Sequence, residues 1–160
     1  MLIKVLGSAA GGGFPQINCN CRNCAGARSG DPALRARTQS SLAVSRDGVR
    51  WTLLNASPDI RQQIAATPEL WPRQEAGLRA SPIASVVLTN ADVDHVAGLL
   101  SLREGFDFTL YASPTVLEAL NANPIFNVLD GSRVTRAGLA LERETMLEGG
   151  LHAEAFAVPG

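Results

Sequence analysis

Short apolar runs recur along the chain, and each is ended by Gly, Pro, Asn or Asp. Runs of this length, alternating or continuous, predict β-strands. Arg46-Asp47-Gly48 separates two of the runs and contains the Asp-Gly pair that is typical of a hairpin turn. The predicted strands cover residues 2–6, 40–45, 49–55, 85–88, 108–112 and 151–158.

Helices are predicted where a serine and a proline follow a strand end. Ser57-Pro58 and Ser113-Pro114 place a serine at the N-cap and a proline at the first helical position, which these residue types favour. A hairpin followed by alternating strands and helices indicates an α/β domain with a mixed sheet flanked by helices. The predicted helices cover residues 58–66, 96–104 and 114–121, and residues 67–81 are predicted as a loop.

Composition narrows the classes of protein that fit. The chain has 160 residues, a hydrophobic content of 46% and a net charge of −1. These values favour one folded domain over residues 1–160 and argue against a disordered chain or a nucleic-acid binder. No apolar run approaches the roughly eighteen residues of a membrane span. The N-terminus lacks the basic segment of an export signal, so we expect a cytoplasmic protein.

Cys19, Cys21 and Cys24, the cysteine cluster, are the three cysteines of the chain. An odd, clustered set is a poor disulfide framework. Thiolates this close in the chain can converge on one Zn²⁺, and thiolate-rich zinc sites are usually structural. The fourth ligand would be His152 or a residue outside these 160. The alternative is three buried thiols that bind nothing.

Residues 88–100, LTNADVDHVAGLL, form the most informative stretch, because they join a predicted strand to a predicted helix. Strand ends are where α/β sheets carry their chemistry. Asp92, Asp94 and His95 offer oxygen and nitrogen donors that suit a hard or borderline metal ion, and Asn90 is a weak further ligand. The alternative is structural, with Asp94 as a helix N-cap and Asp92 and Asn90 as turn formers. We call residues 90–95 the acidic turn.

Three further features have both a functional and a structural interpretation. The glycine loop, residues 7–13, would let an anion approach the backbone, but it lacks the P-loop lysine and is more typical of a tight turn. Asp59 would orient a metal ligand or belong to the first turn of a helix. Arg35, Arg37 and Arg61 would bind a substrate carboxylate or lie solvated at the surface.

Residues 89–99 resemble the metallo-β-lactamase superfamily motif T-H-x-H-x-D-H-x-x-G-L. Asn90 and Asp92 stand where the motif has its first two histidines. The positions that match the motif are Asp94, His95 and Gly98. Dinuclear zinc hydrolases of this superfamily use both missing histidines, so the replacements argue against hydrolysis.

Five further segments resemble a more particular family; they are residues 1–16, 18–24, 37–41, 55–61 and 98–105. That family is the pyrroloquinoline quinone biosynthesis protein B family. The match covers essentially all 160 residues, which correspond to about the N-terminal half of a longer protein.

The resemblance implies an αββα four-layer sandwich of the metallo-β-lactamase type, with a metal site at the edge between the two sheets. It implies a role in making pyrroloquinoline quinone. One such role is an iron-dependent oxygenase that hydroxylates the tyrosine of a Glu-Tyr-derived precursor. Another is a carrier that moves the cofactor or its precursor toward the periplasm. A metal-dependent hydrolase is the third alternative.

The resemblance also implies structural zinc at the cysteine cluster. We expect Fe(II) at the site formed by Asp92, Asp94 and His95. His95, Asp94 or Asp92, and a histidine from outside these residues would give two histidines and one carboxylate, the set that suits Fe(II) and O₂. The expected partners are a peptide-derived or quinone substrate, other proteins of the same pathway and a second copy of the chain. If the chain ended at Gly160, we would expect an open sheet edge and a bare apolar face.

Overall fold

A six-stranded sheet in chain order, followed by a two-stranded hairpin, organises residues 1–158, which the computed structural model describes. The strands of the large sheet are β1 Leu2–Gly7, β2 Ser41–Ser45, β3 Trp51–Leu54, β4 Ile83–Val87, β5 Phe108–Ala112 and β6 Val134–Gly138. The hairpin consists of β7 Glu144–Met146 and β8 His152–Glu154.

Helices connect most of these strands. The α-helices are α1 Arg22–Arg28, α2 Ile60–Ala65, α3 Val93–Val96 and α4 Pro114–Asn121. The 3₁₀ helices are Pro68–Leu70, Gln74–Ala76, Ala97–Ser101 and Pro124–Val128. The first three strands pair antiparallel, whereas β3 to β6 pair parallel. The carboxyl ends of four neighbouring strands therefore lie at one edge of the sheet, the usual place for a site.

The main core lies between the large sheet and the helices. Leu53, Val86 and Leu110 are register partners on three neighbouring strands, and all three are fully buried. Ile60 of α2 and Leu120 of α4 pack into the same cluster. Each such side chain contributes about 1.5–3 kcal/mol through burial, so the core holds the helices on this face of the sheet.

The opposite face of the sheet packs against the hairpin. Val87 and Tyr111 form a second apolar cluster with Leu139 and Leu147. Helices, large sheet and hairpin are therefore successive layers, and the α/β class that the sequence predicts is confirmed. In the described part of the chain, no helix combines the length and the apolar character that crossing a bilayer requires.

β1 is an edge strand with uncovered apolar side chains. Among the described strands it pairs with β2 alone, and Ile3 and Val5 are 54% and 67% exposed. This edge of the sheet therefore leaves backbone groups and apolar side chains open to solvent.

Ser57 does not cap a helix, contrary to the prediction. Its hydroxyl is fully buried and donates to Gln63 Oε1 over 3.1 Å. The helix starts later, with Asp59 at the N-cap position. A buried hydroxyl has to be paired inside the core, and this requirement takes priority over capping. Ser113 behaves as predicted, because its Oγ accepts a hydrogen bond from the Val116 N–H at the start of α4.

The helix predicted over residues 96–104 is instead the short α3 followed by a 3₁₀ helix. The His95 carbonyl accepts a hydrogen bond from the Ala56 N–H at 2.7 Å, and the Gly98 N–H donates to the Ala56 carbonyl at 2.9 Å. In a continuous α-helix, the His95 carbonyl and the Gly98 N–H would instead pair with residues four positions away in the same helix. A Cβ at Gly98 would lie 2.2 Å from the Ser57 carbonyl oxygen, so this approach requires glycine.

The remaining differences concern element lengths. The loop predicted over residues 67–81 contains two 3₁₀ helices. The strand predicted over residues 151–158 is limited to β8. The sequence does not predict β7, because the three residues Glu-Thr-Met show no apolar alternation. In the fold, they are mostly exposed.

Replacing Gly98 with alanine should destabilise the protein, because the added methyl group would collide with main-chain atoms that cannot move aside. We expect Gly98→Ala to lower the free energy of unfolding by about 1–3 kcal/mol, the usual cost of overpacking. Urea unfolding followed by circular dichroism measures the change. Gly138→Ala is the matched control, because nothing lies within 4 Å of a Cβ there. Equal stability of the two variants would contradict this account.

Candidate metal centre

Asn55 joins the ends of the parallel strands β3 and β4. Its Oδ1 accepts hydrogen bonds from the Thr89 N–H at 2.9 Å and the Thr89 hydroxyl at 3.1 Å, and its own N–H donates to the Val87 carbonyl. Asn55 has a φ of 63°, a left-handed conformation that asparagine tolerates better than most residues. These hydrogen bonds hold Thr89, the residue directly before the acidic turn, against the end of β3. No role for Asn55 is predicted from the sequence, although an asparagine directly after a strand is a recognisable signal.

Asn90 forms the first part of the acidic turn. Its Oδ1 accepts a hydrogen bond from the Asp92 N–H at 3.0 Å, so it acts as the turn former that the structural alternative predicts. The Asp92 carbonyl accepts from the N–H groups of His95 and Val96 at 2.9 and 3.1 Å. The Asp92 side chain is exposed and makes no capping hydrogen bond.

The predicted ligand residues converge. One donor atom each from Asp92, Asp94 and His95 lies within 4.8 Å of the other two. Asp94 Oδ1 lies 2.9 Å from His95 Nδ1, and the two side chains are 23% and 20% exposed. Asp94 is thus not the N-cap of α3, contrary to the alternative interpretation, because Asp92 occupies that position. Two carboxylates and one imidazole at a strand end can hold a divalent cation.

The glycine loop forms a wall beside the acidic turn. A Cβ at Gly11 would lie 3.2 Å from Asp94 Oδ2. The next residue, Gly12, donates its N–H to Gln39 Oε1 at 3.5 Å. Gln39 in turn donates its backbone N–H and its side-chain Nε2 to Asp59 Oδ2, at 2.8 and 3.2 Å. Asp59 therefore acts on the glycine loop through Gln39, a role that neither interpretation of Asp59 anticipated.

The residues of the cysteine cluster also converge. One sulfur from each of Cys19, Cys21 and Cys24 lies within 4.8 Å of the other two. Cys24 is buried in α1, and Cys21 is the exposed N-cap residue of that helix. The Cys24 backbone N–H and the Cys19 side chain lower the pKa of the Cys21 thiol to about 7. A thiolate is the form that binds metal, and three of them suit Zn²⁺. Arg28 holds the loop by donating to the Cys19 carbonyl at 2.6 Å.

His152 is not brought to the cysteine cluster, so the structure gives no support to it as the fourth ligand. It lies in β8, where its ring contacts the Glu144 carboxylate of the paired strand β7. Within residues 1–158, the only groups of three or more His, Cys, Asp or Glu that could hold a metal are the two described above.

The three candidate arginines lie in two separate cavities. Arg35 and Arg37 line a cavity of about 420 Å³ behind the glycine loop. Arg61 lines another of about 760 Å³, together with Arg103 and Glu104.

Comparison with known proteins decides the family. A family model described as the β-lactamase superfamily domain matches residues 50–160. The chain belongs to the β-lactamase superfamily. Coenzyme PQQ synthesis protein B from Methylorubrum populi is 57% identical over 160 residues, which are 100% of this chain and 53% of that protein. The chain thus spans about half the length of the curated relatives it matches.

Solved structures agree with this assignment. Crystalline Zn²⁺-bound PqqB from Methylobacterium extorquens has a TM-score of 0.95 at 56% identity, over 99% of this chain and 52% of that one. A diphosphatase from the PhnP family has a TM-score of 0.67 at 27% identity, over 92% of this chain and 53% of that one. The family resemblance predicted from the motifs is confirmed.

Cys24→Ser should remove zinc from the cysteine cluster, because the buried sulfur is one of three converging donors. We expect about one zinc per chain in the wild type and far less in the variant, measured by mass spectrometric elemental analysis after dialysis against a weak chelator. Asp94→Asn is the matched control and should keep the zinc of the cysteine cluster. Unchanged zinc in Cys24→Ser would show that the cluster is not the binding site.

Proposed function

We propose that this protein takes part in the biosynthesis of pyrroloquinoline quinone, as an iron-dependent oxygenase that hydroxylates the tyrosine ring of a Glu-Tyr-derived precursor. The observation that carries the proposal is the convergence of Asp92, Asp94 and His95 at the acidic turn. The similarity to coenzyme PQQ synthesis protein B over the whole chain supplies the pathway.

The donors of the acidic turn fit an iron(II) ion better than a dinuclear zinc centre. Two carboxylates and one imidazole are hard to borderline ligands, which suit Fe²⁺. The two positions that carry histidines in the zinc hydrolases are Asn90 and Asp92, and the Asn90 amide oxygen is already paired with a backbone N–H. A further histidine from outside these residues would complete the iron set. Bound iron would supply the redox chemistry that activates O₂.

The protein's own residues would orient this centre. With its proton on Nδ1, His95 would donate a hydrogen bond to Asp94 Oδ1, and its Nε2 lone pair would be left for a metal. The glycine loop lies beside Asp94 at Gly11, where a Cβ would come within 3.2 Å of Asp94 Oδ2. The Asp92 side chain is exposed and makes no capping hydrogen bond, so its carboxylate is available to a metal.

The cysteine cluster is proposed as a structural zinc site. The M. extorquens relative is described as Zn²⁺-bound, which supports zinc in this family. Zinc there would fix the segment between the glycine loop and α1. The cytoplasmic location, the second copy and the contacts with other pathway proteins stay predictions.

The test is incorporation of oxygen into a defined peptide. The full-length protein, which includes the segment expected to supply the further histidine, is loaded with Fe(II) without oxygen. O₂, Glu-Tyr and ascorbate are then added, because inserting one atom of O₂ into a ring C–H bond requires a two-electron reductant that converts the other atom to water. We expect a hydroxylated peptide by mass spectrometry, with the oxygen derived from ¹⁸O₂. His95→Ala should lower the rate at least about tenfold. Removing a residue that only orients a metal ligand already costs about tenfold or more, and removing the ligand itself should cost at least as much.

The control is His152→Ala, since the chain has two histidines and His152 lies in the hairpin with a 56% exposed side chain. This variant should keep the wild-type rate. Iron-loaded wild type that incorporates no oxygen would overturn the oxygenase proposal. If such protein still bound pyrroloquinoline quinone, and His95→Ala bound it equally well, the carrier role would replace it.

A further inference from the structure

We infer that the cavity behind the glycine loop binds the carboxylates of an aromatic anion that carries at least two of them. This inference deepens the proposed function by assigning a substrate-binding site. The cavity, called here the arginine cavity, measures about 420 Å³, within the range of about 300–1,000 Å³ that small-molecule sites occupy. The residues that matter for its chemistry are Ala10, Gly13, Phe14, Leu34, Arg35 and Arg37.

Arg35 and Arg37 are exposed, and no acidic side chain of the arginine cavity offsets their charge. Among the described residues, the guanidinium groups of Arg35 and Arg37 make no hydrogen bond or ion pair with the protein, and no acidic side chain lines the cavity. By contrast, Arg133 bonds Asp107 at 3.1 Å, and the guanidinium of Arg28 bonds backbone carbonyls. A guanidinium fork matches a carboxylate in geometry and in charge. Two free forks in one cavity therefore favour a ligand with two carboxylates.

The walls of the arginine cavity are preformed. The Arg37 N–H donates to the Phe14 carbonyl at 2.7 Å, and the Phe14 N–H donates to the Arg37 carbonyl at 2.9 Å. The N–H groups of Ser8 and Ala9 both donate to the Thr38 carbonyl. These hydrogen bonds hold the backbones of Phe14 and Arg37 beside each other. The half-buried Phe14 ring offers an apolar surface on which a second aromatic ring can pack.

The arginine cavity and the acidic turn share the glycine loop. Ala10 and Gly13 line the cavity, while Gly11, between them, faces Asp94, with a Cβ there lying 3.2 Å from Asp94 Oδ2. The loop has little side-chain bulk at these positions. A ligand held by its carboxylates in the cavity, and long enough to follow the loop past Gly11, would reach the candidate metal ligands.

The cavity lined by Arg61 and Arg103 is a poorer anion site and supplies the control. Its Glu104 carboxylate lies among the lining residues, and the Arg103 Nε is 3.9 Å from Glu104 Oε1. The negative charge there opposes an incoming carboxylate. Arg103 is 57% exposed at the side chain, so replacing it removes a comparable surface charge at a different place.

The experiment measures binding by isothermal titration at low ionic strength, with the dipeptide Glu-Tyr and pyrroloquinoline quinone as separate probes. The variants are Arg35→Gln, Arg37→Gln and the control Arg103→Gln, each checked by circular dichroism. We expect each of the first two to weaken Kd about tenfold, the usual effect of losing one charge-assisted contact. Arg103→Gln should stay within about twofold of the wild type. Tyramine, which lacks carboxylates, should not bind.

Tight binding of either probe with this pattern of variants supports the inference, and the probe that binds more tightly identifies the source of the carboxylates. A wild type that binds neither probe would overturn it, as would folded Arg35→Gln and Arg37→Gln variants with wild-type Kd values. The binding measurement needs no turnover. Binding through these arginines without oxygen incorporation would refute the oxygenase alone, whereas oxygen incorporation without their involvement would refute this inference alone.

Discussion

The close contact between Ala56 and the segment from His95 to Gly98 is the constraint on which the candidate centre depends. Ala56 donates to the His95 carbonyl and accepts from the Gly98 N–H, at 2.7 and 2.9 Å. This pair of bonds ends α3 after one turn and holds it against the end of β3. Because Asn55 already ties β3 to the residue before the acidic turn, Asp94 and His95 are held from both sides. Pre-organisation of this kind spares a metal the cost of ordering its ligands.

Much of this arrangement follows from local sequence, and the part that does not is held by distant contacts. The strand at residues 108–112, the helix that Ser113 caps and both ligand clusters are predictable, because their signals lie within a few residues of one another. The Thr89–Asn55 bond and the Gly12–Gln39 bond join residues 34 and 27 positions apart. No local periodicity encodes such pairs, so the roles of Asn55 and Gln39 emerge only from the folded chain.

The chain has the fold of the β-lactamase superfamily but different metal-ligand residues at two positions of its motif, Asn90 and Asp92. The superfamily fold supplies parallel strands that end at one edge, and the acidic turn retains the Asp-His pair of the motif. Asn90 has become a turn former rather than a ligand. The glycine loop contacts Asp94 on one side and lines the arginine cavity on the other. A single segment thereby links the proposed metal, the proposed substrate site and, through residues 14–19, the cysteine cluster.

The most direct test of the central claim is anomalous X-ray diffraction from crystals of the protein grown with Fe(II) in the absence of oxygen. Data collected on both sides of the iron absorption edge locate the metal independently of any assay. The account predicts an iron peak within bonding distance of Asp92, Asp94 and His95. A fully iron-treated crystal with no peak there, and with these side chains bonded to backbone amides instead, would contradict it.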